Sequence, residues 1–126
     1  MKSLSMQGYY EVKNSKFMGF FFDVKSEGEA EEYIKQLRSE HKKATHVCFA
    51  MIITGDNFVC KCSDDKEPSG TAGRPILNVL EKQNKKNCLL CVVRYFGGVK
   101  LGAGGVLRAY TKCASLTLKE VENGNY

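Results

Sequence analysis

The stretch RYFGGVKLGAGGVLRAY, residues 94–110, holds five glycines within nine positions: Gly97, Gly98, Gly102, Gly104 and Gly105. An apolar run ends on one side of it and a helical pattern begins on the other. Glycine loses more backbone entropy on folding than any other residue and offers no side chain to pack. Its concentration at a strand-to-helix joint marks a place where the chain turns tightly, approaches a neighbour or leaves its amides uncovered.

The flanking segments set the fold class. Cys88–Phe96 and Thr45–Thr54 are almost wholly apolar and read as buried strands. Lys16–Val24 puts Met18, Phe20, Phe22 and Val24 on one face, and Tyr9–Val12 is a short strand before it. Phe58–Ser63 alternates after a Gly55-Asp56-Asn57 turn. The first helical stripe is Ala30, Tyr33, Ile34 and Leu37, behind a Ser26 cap and an acidic first turn. The second is Ile76, Val79, Leu80 and Gln83, with Pro75 at the helix start. The third is Val106, Leu107, Tyr110, Cys113, Ala114 and Thr117. The order is (β)βαββαβα. It predicts an α+β, two-layer domain over residues 9–119, with a mixed sheet, helices on one face, and tails at 1–8 and 120–126.

The 126 residues suit one domain. No apolar run approaches the ~20 residues of a membrane span. The N-terminus lacks a signal-peptide core, so the expected location is cytoplasmic, with reduced cysteines and no membrane partner. The net charge of +5 is unevenly spread. Residues 1–73 hold 10 Lys/Arg and 11 Asp/Glu; residues 74–126 hold 9 and 3. The basic half contains the glycine joint. That bias suits an anionic partner, and it equally suits simple solubility.

The helix after the joint has no Ser, Thr, Asp or Asn at its start to accept from its first amides. Helix N-termini bind anions, and Lys100 and Arg108 add full charges. Gly97, Gly98, Lys100, Gly102, Gly104, Gly105 and Arg108 therefore form a candidate anion cradle. The alternative is tight packing, with Gly104 and Gly105 letting the helix lie against a neighbour. The run matches neither a Walker A loop nor a Rossmann fingerprint. A second motif, SDDKEPSGTAGRP, brings Asp64, Asp65, Glu67, Ser69 and Thr71. Its spacing is not that of an EF-hand. Turn and cap roles outweigh a loosely held Mg²⁺. Both loops precede helices at one end of the sheet, so Asp65, Glu67 and Lys100 are expected as neighbours around one cleft, with Arg94 in its lining.

Cys88 and Cys91 fall on opposite faces of one strand, which argues against a shared metal ion, as does the lack of converging loops around Cys60 and Cys62. No metal or cofactor is expected. His46 and Cys48 share a strand face, but no third group orients them for nucleophilic chemistry.

Ser15-Lys16-Phe17, Ala44-Thr45-His46, Gly55-Asp56-Asn57, Asp64-Asp65, Glu67 to Gly73 and Arg94 to Gly105 resemble the IMPACT family in order and spacing, its YigZ-type members most. The resemblance covers about residues 9–119. It implies the left-handed βαβ arrangement of the second domain of a small-subunit ribosomal protein and of GHMP kinases. In eukaryotes it implies translational regulation, through binding the activator of a starvation-responsive kinase. Eukaryotic members carry an extra N-terminal domain, and bacterial members add a ferredoxin-like C-terminal one. The family supplies no agreed catalytic residues, and Val47 stands where members commonly show a polar residue after the histidine. The expected role is binding of RNA, a ribosome-associated factor or a regulatory protein. The alternative is an enzyme acting on a phosphate-bearing small molecule, although no Ser or Thr lies between Gly97 and Leu107 as in a kinase loop.

Overall fold

The computed structural model describes residues 3–124. The outermost residues of both expected tails, 1–2 and 125–126, lie outside the described residues. The elements are β1 Gly8–Val12, β2 Ser15–Asp23, α1 Glu27–Glu40, β3 His46–Ile53, β4 Val59–Ser63, α2 Gly73–Lys82, β5 Cys88–Tyr95 and α3 Gly102–Glu122. Their order is the expected one. Among the described residues, no helix is long and apolar enough to cross a membrane.

The five strands form one sheet in the order β1-β2-β5-β3-β4. Every neighbouring pair is antiparallel, so the mixed sheet expected from the sequence is corrected. Each helical connection does return the chain in the same direction, β2 through α1 to β3 and β4 through α2 to β5. A strand from the other unit fills each gap: β5 separates β2 from β3, and β3 separates β4 from β5.

The placement of helices on one face is also corrected. Cys88, Leu90 and Val92 of β5 share a core with α2 and α3. Leu89, Cys91 and Val93 point the other way, into a core with Ala30, Ile34 and Leu37 of α1. All six are fully buried. A strand with six successive apolar residues, Cys88–Val93, needs cover on both sides, so the domain has three layers rather than two. Cys88 and Cys91 do face opposite ways, and burial pushes the Cys88 thiol up to about 12. Among the described residues, no cluster of His, Cys, Asp or Glu could hold a metal ion.

Local signals held at α1. Ser26 accepts from the Glu29 amide at 3.1 Å, and Glu29 accepts in return from Lys25 N at 2.7 Å. Two stripe residues moved. Gln83 lies past the end of α2 and is exposed. Leu107 is 43% exposed, because the inner face of α3 runs through Val106, Ala109, Tyr110 and Cys113 and Leu107 lies to the side of it.

A feature the sequence analysis passed over seats α3. Gly8 and Gly19 stand opposite each other in the β1–β2 register. A Cβ on either would overlap Thr117, which is fully buried. At Gly19 the obstruction is the Thr117 side chain, and at Gly8 it includes the Thr117 backbone. Gly19→Ala and Gly8→Ala should each destabilise the fold by about 1–3 kcal/mol. Thr117→Ala should recover most of the loss at Gly19 and little of it at Gly8, as read from urea unfolding of the single and double variants.

Candidate functional site

The 64–73 loop is built around Asp64. Its Oδ1 accepts from the Ala72 and Gly73 amides at 3.1 and 2.8 Å, and its Oδ2 accepts from Gly70 at 2.8 Å. Asp64 thereby caps α2 from nine residues away. Burial pushes its carboxyl up, but these three amides outweigh that and hold it below the ordinary carboxylate range. The Thr71 hydroxyl donates to the Pro68 carbonyl, and Ser69 is exposed. Asp65 turns toward α1, accepting from Val47 N at 2.6 Å and pairing with Arg38 at 3.3 Å.

Glu67 goes inward. It is 7% exposed, and both its oxygens take Arg94 Nη1, at 2.9 and 2.7 Å. Tyr110 of α3 donates to Oε2 at 2.6 Å. His46 Nδ1 donates to the Asp65 carbonyl at 2.7 Å, which leaves Nε2 facing Glu67 Oε1 at 3.4 Å. The Cys48 thiol donates to the Asp64 carbonyl at 3.1 Å, with the Tyr110 oxygen 3.4 Å away. Burial pushes the Cys48 thiol and the Tyr110 hydroxyl well above their ordinary ranges.

Arg94 is 5% exposed. Its Nη2 donates to Ser15 at 3.2 Å, and its Cζ lies over the rings of Phe17 and Phe96, 5.3 and 5.7 Å from their centroids. Its Nε has no partner although it is buried. Beyond Arg94 the chain is held by Thr45, whose hydroxyl accepts from Phe96 N, and by Ser15, which accepts from Gly97 N.

The glycines now separate by role. A Cβ at Gly97 would overlap the backbone of Asn14, in the two-residue turn that joins β1 to β2. Gly98 and Gly102 have φ of 92° and 73°, where a side chain is strained. Gly104 and Gly105 meet no other element: a Cβ there would face only Arg108 and Leu101 of their own segment. Close approach thus occurs at Gly97 and not at the pair expected to provide it. The α3 N-cap is Leu101, with no side-chain acceptor for the first amides.

The two loops do border one cleft, of about 330 Å³. Its walls include Thr45, His46, Glu67, Pro68, Arg94, Phe96, Lys100 and Gly102. Glu67 and Lys100 therefore line the same cleft, and Asp65 does not join them, because Arg38 and the Val47 amide hold it elsewhere. Arg108 lines a separate groove with Tyr10, Val12 and Lys13. Sequence reasoning missed Phe96, which is 47% exposed at the cleft, and the partners of Glu67. One signal was present: a tyrosine inside an apolar helical stripe needs an acceptor for its hydroxyl.

Two outcomes follow for the loop and its buried pair. Glu67→Ala should cost about 3–5 kcal/mol, since it strands Arg94 in the interior, and Glu67→Ala with Arg94→Met should cost less than Glu67→Ala alone. Chemical denaturation reads both. Asp64, titrating low in the folded state, adds stability that is complete above the ordinary carboxylate range and drains as pH falls below it. Asp64→Asn should flatten the fall in urea midpoint between roughly pH 4.5 and 3.

With this geometry in place, comparison with known proteins is specific. The Impact N-terminal domain model matches residues 13–118. IMPACT family member YvyE of Bacillus subtilis is 44% identical over 110 residues, covering 87% of this chain and 51% of that protein. IMPACT family member YigZ of Escherichia coli is 34% identical over 113 residues, covering 88% and 55%. The crystal structure of a hypothetical protein superposes with a TM-score of 0.84 at 33% identity, covering 90% of this chain and 56% of that one. The two-domain translational regulator Yih1 shares the fold, with a TM-score of 0.64 at 23% identity, covering 95% and 48%. The chain spans about half the length of these relatives. The matched segment runs from the β1–β2 turn to the last turns of α3 and includes both loops of the cleft, and on these grounds the chain belongs to the IMPACT family.

Proposed function

We propose that this domain acts by binding single-stranded RNA at the cleft, in a role connected with translation. One observation carries the reading: the exposed ring of Phe96 ends a Phe17–Arg94–Phe96 stack beside the uncapped first turn of α3 and Lys100. A base stacked on an aromatic face contributes about 1–3 kcal/mol and does not depend on sequence. The free amides of α3 and the Lys100 ammonium suit the adjoining phosphate. The fold neighbour Yih1 is a translational regulator, which fits the expected setting.

The alternative of an enzyme draws less support. Both Glu67 oxygens already accept from Arg94, so that carboxylate is not free to act as a base. The Cys48 thiol is held protonated by burial.

Fluorescence anisotropy with a labelled oligouridine tests the reading. Binding should be measurable at about 50 mM salt and should weaken as salt rises. Phe96→Ala should lower affinity about tenfold or more, and Lys100→Ala should reduce the log–log salt slope by about 0.7. Both side chains are exposed, so unfolding should be unchanged. No binding, or binding indifferent to both substitutions, overturns the proposal.

A further inference from the structure

The second groove lies on the other side of Leu101, which walls both it and the Phe96 cleft. It holds about 130 Å³ between Tyr10, Val12, Lys13, Leu101, Gly105 and Arg108. Two cations meet there from different parts of the chain. Lys13 sits in the β1–β2 turn with φ of 47°, and Gly97 packs against the next residue of that turn. Arg108 reaches back over the first turn of α3: a Cβ on Gly104 would lie 3.3 Å from its Nη1. Among the described residues, no carboxylate pairs with Lys13, Lys100 or Arg108. Three unneutralised charges thus surround the uncapped end of α3, one on the cleft side of Leu101 and two on the groove side.

We propose that the RNA strand continues from the Phe96 cleft across Leu101 and lays its next phosphate between Lys13 and Arg108, so that the ligand is a strand of at least two nucleotides rather than a mononucleotide. This rests on the reading of the cleft as an RNA site. The chemistry fits the shape. The cleft has an aromatic face and one unpaired cation, Lys100, as one nucleotide requires. The groove is smaller and has two cations, which suits a phosphate. A guanidinium and an ammonium on opposite walls can reach different oxygens of one phosphodiester. The two walls are firm, because Gly97 holds the turn that carries Lys13 and the helix carries Arg108.

The test compares uridine monophosphate, a uridine dinucleotide and an octanucleotide against the wild type and a Lys13→Asn/Arg108→Ala variant. Asparagine at 13 tolerates the positive φ, and both positions are exposed, so the fold should be kept. Wild-type affinity should rise about tenfold or more from mononucleotide to dinucleotide. The variant should lose that rise and leave the mononucleotide unaffected. Its salt slope on the octanucleotide should drop by about 0.7, one phosphate's worth for single strands. A variant that binds the dinucleotide as well as the wild type, or that weakens the mononucleotide equally, overturns the path across Leu101. A wild-type protein that binds none of the three at about 50 mM salt overturns the cleft reading beneath it instead.

Discussion

The buried pairing of Glu67 with Arg94 is the constraint around which this end of the domain is arranged. A carboxylate and a guanidinium taken out of water lose several kcal/mol of hydration each, and only close geometry with further hydrogen bonds offsets the loss. Here the further contacts come from three separate segments, Ser15 after the β1–β2 turn, His46 at the head of β3 and Tyr110 in α3, while the pair itself joins the 64–73 loop to β5. The pair therefore ties the loop, the central strand, both of its neighbours and the last helix to one another. It also sets the shape of the cleft, since the loop that carries Glu67 forms one wall and the chain leaving Arg94 forms the other.

What could be read from the sequence divides along the same line. Interactions that span three or four residues were legible. Ser26 and Glu29 at the start of α1 are one case, and the missing cap at the start of α3 is another. The three-layer architecture was legible in principle. Cys88–Val93 has no polar face, and a strand segment without a polar face cannot border water on either side. The expectation of one covered face overlooked that. The pairing across 27 residues was not legible, because an Arg and a Glu are ordinarily exposed and nothing local marks them as buried. The glycine pair under Thr117 was hidden for a related reason. Gly8 and Gly19 are remarkable only once the register places them opposite each other beneath a helix.

The candidate site shows a similar split. Gathering the two loop motifs at one cleft followed from topology, as both precede helices at the same end of the sheet. Which side chains turn into the cleft did not follow. Asp65 and Glu67 are two residues apart and carry the same charge, yet one is drawn to Arg38 and the other to Arg94. Lys100 and Arg108 are likewise close in sequence, and Leu101 stands between their two depressions.

The strand order has a bearing on how such a chain comes to be folded at all. The central strand is the last to be made: β5 follows both hairpins in sequence yet lies between them in the sheet. Until residue 95 has emerged during synthesis, β1–β2 and β3–β4 are separate units, each with an apolar edge strand and no partner. Such long-range pairings are slow to form, and open edges of this kind invite association with other chains. The Arg94–Glu67 pair closes only after β5 inserts, and Tyr110 reaches it only after α3 forms. The cleft is thus completed by the last two elements in the sequence, β5 bringing Arg94 to its wall and α3 bringing Gly102 and Val106.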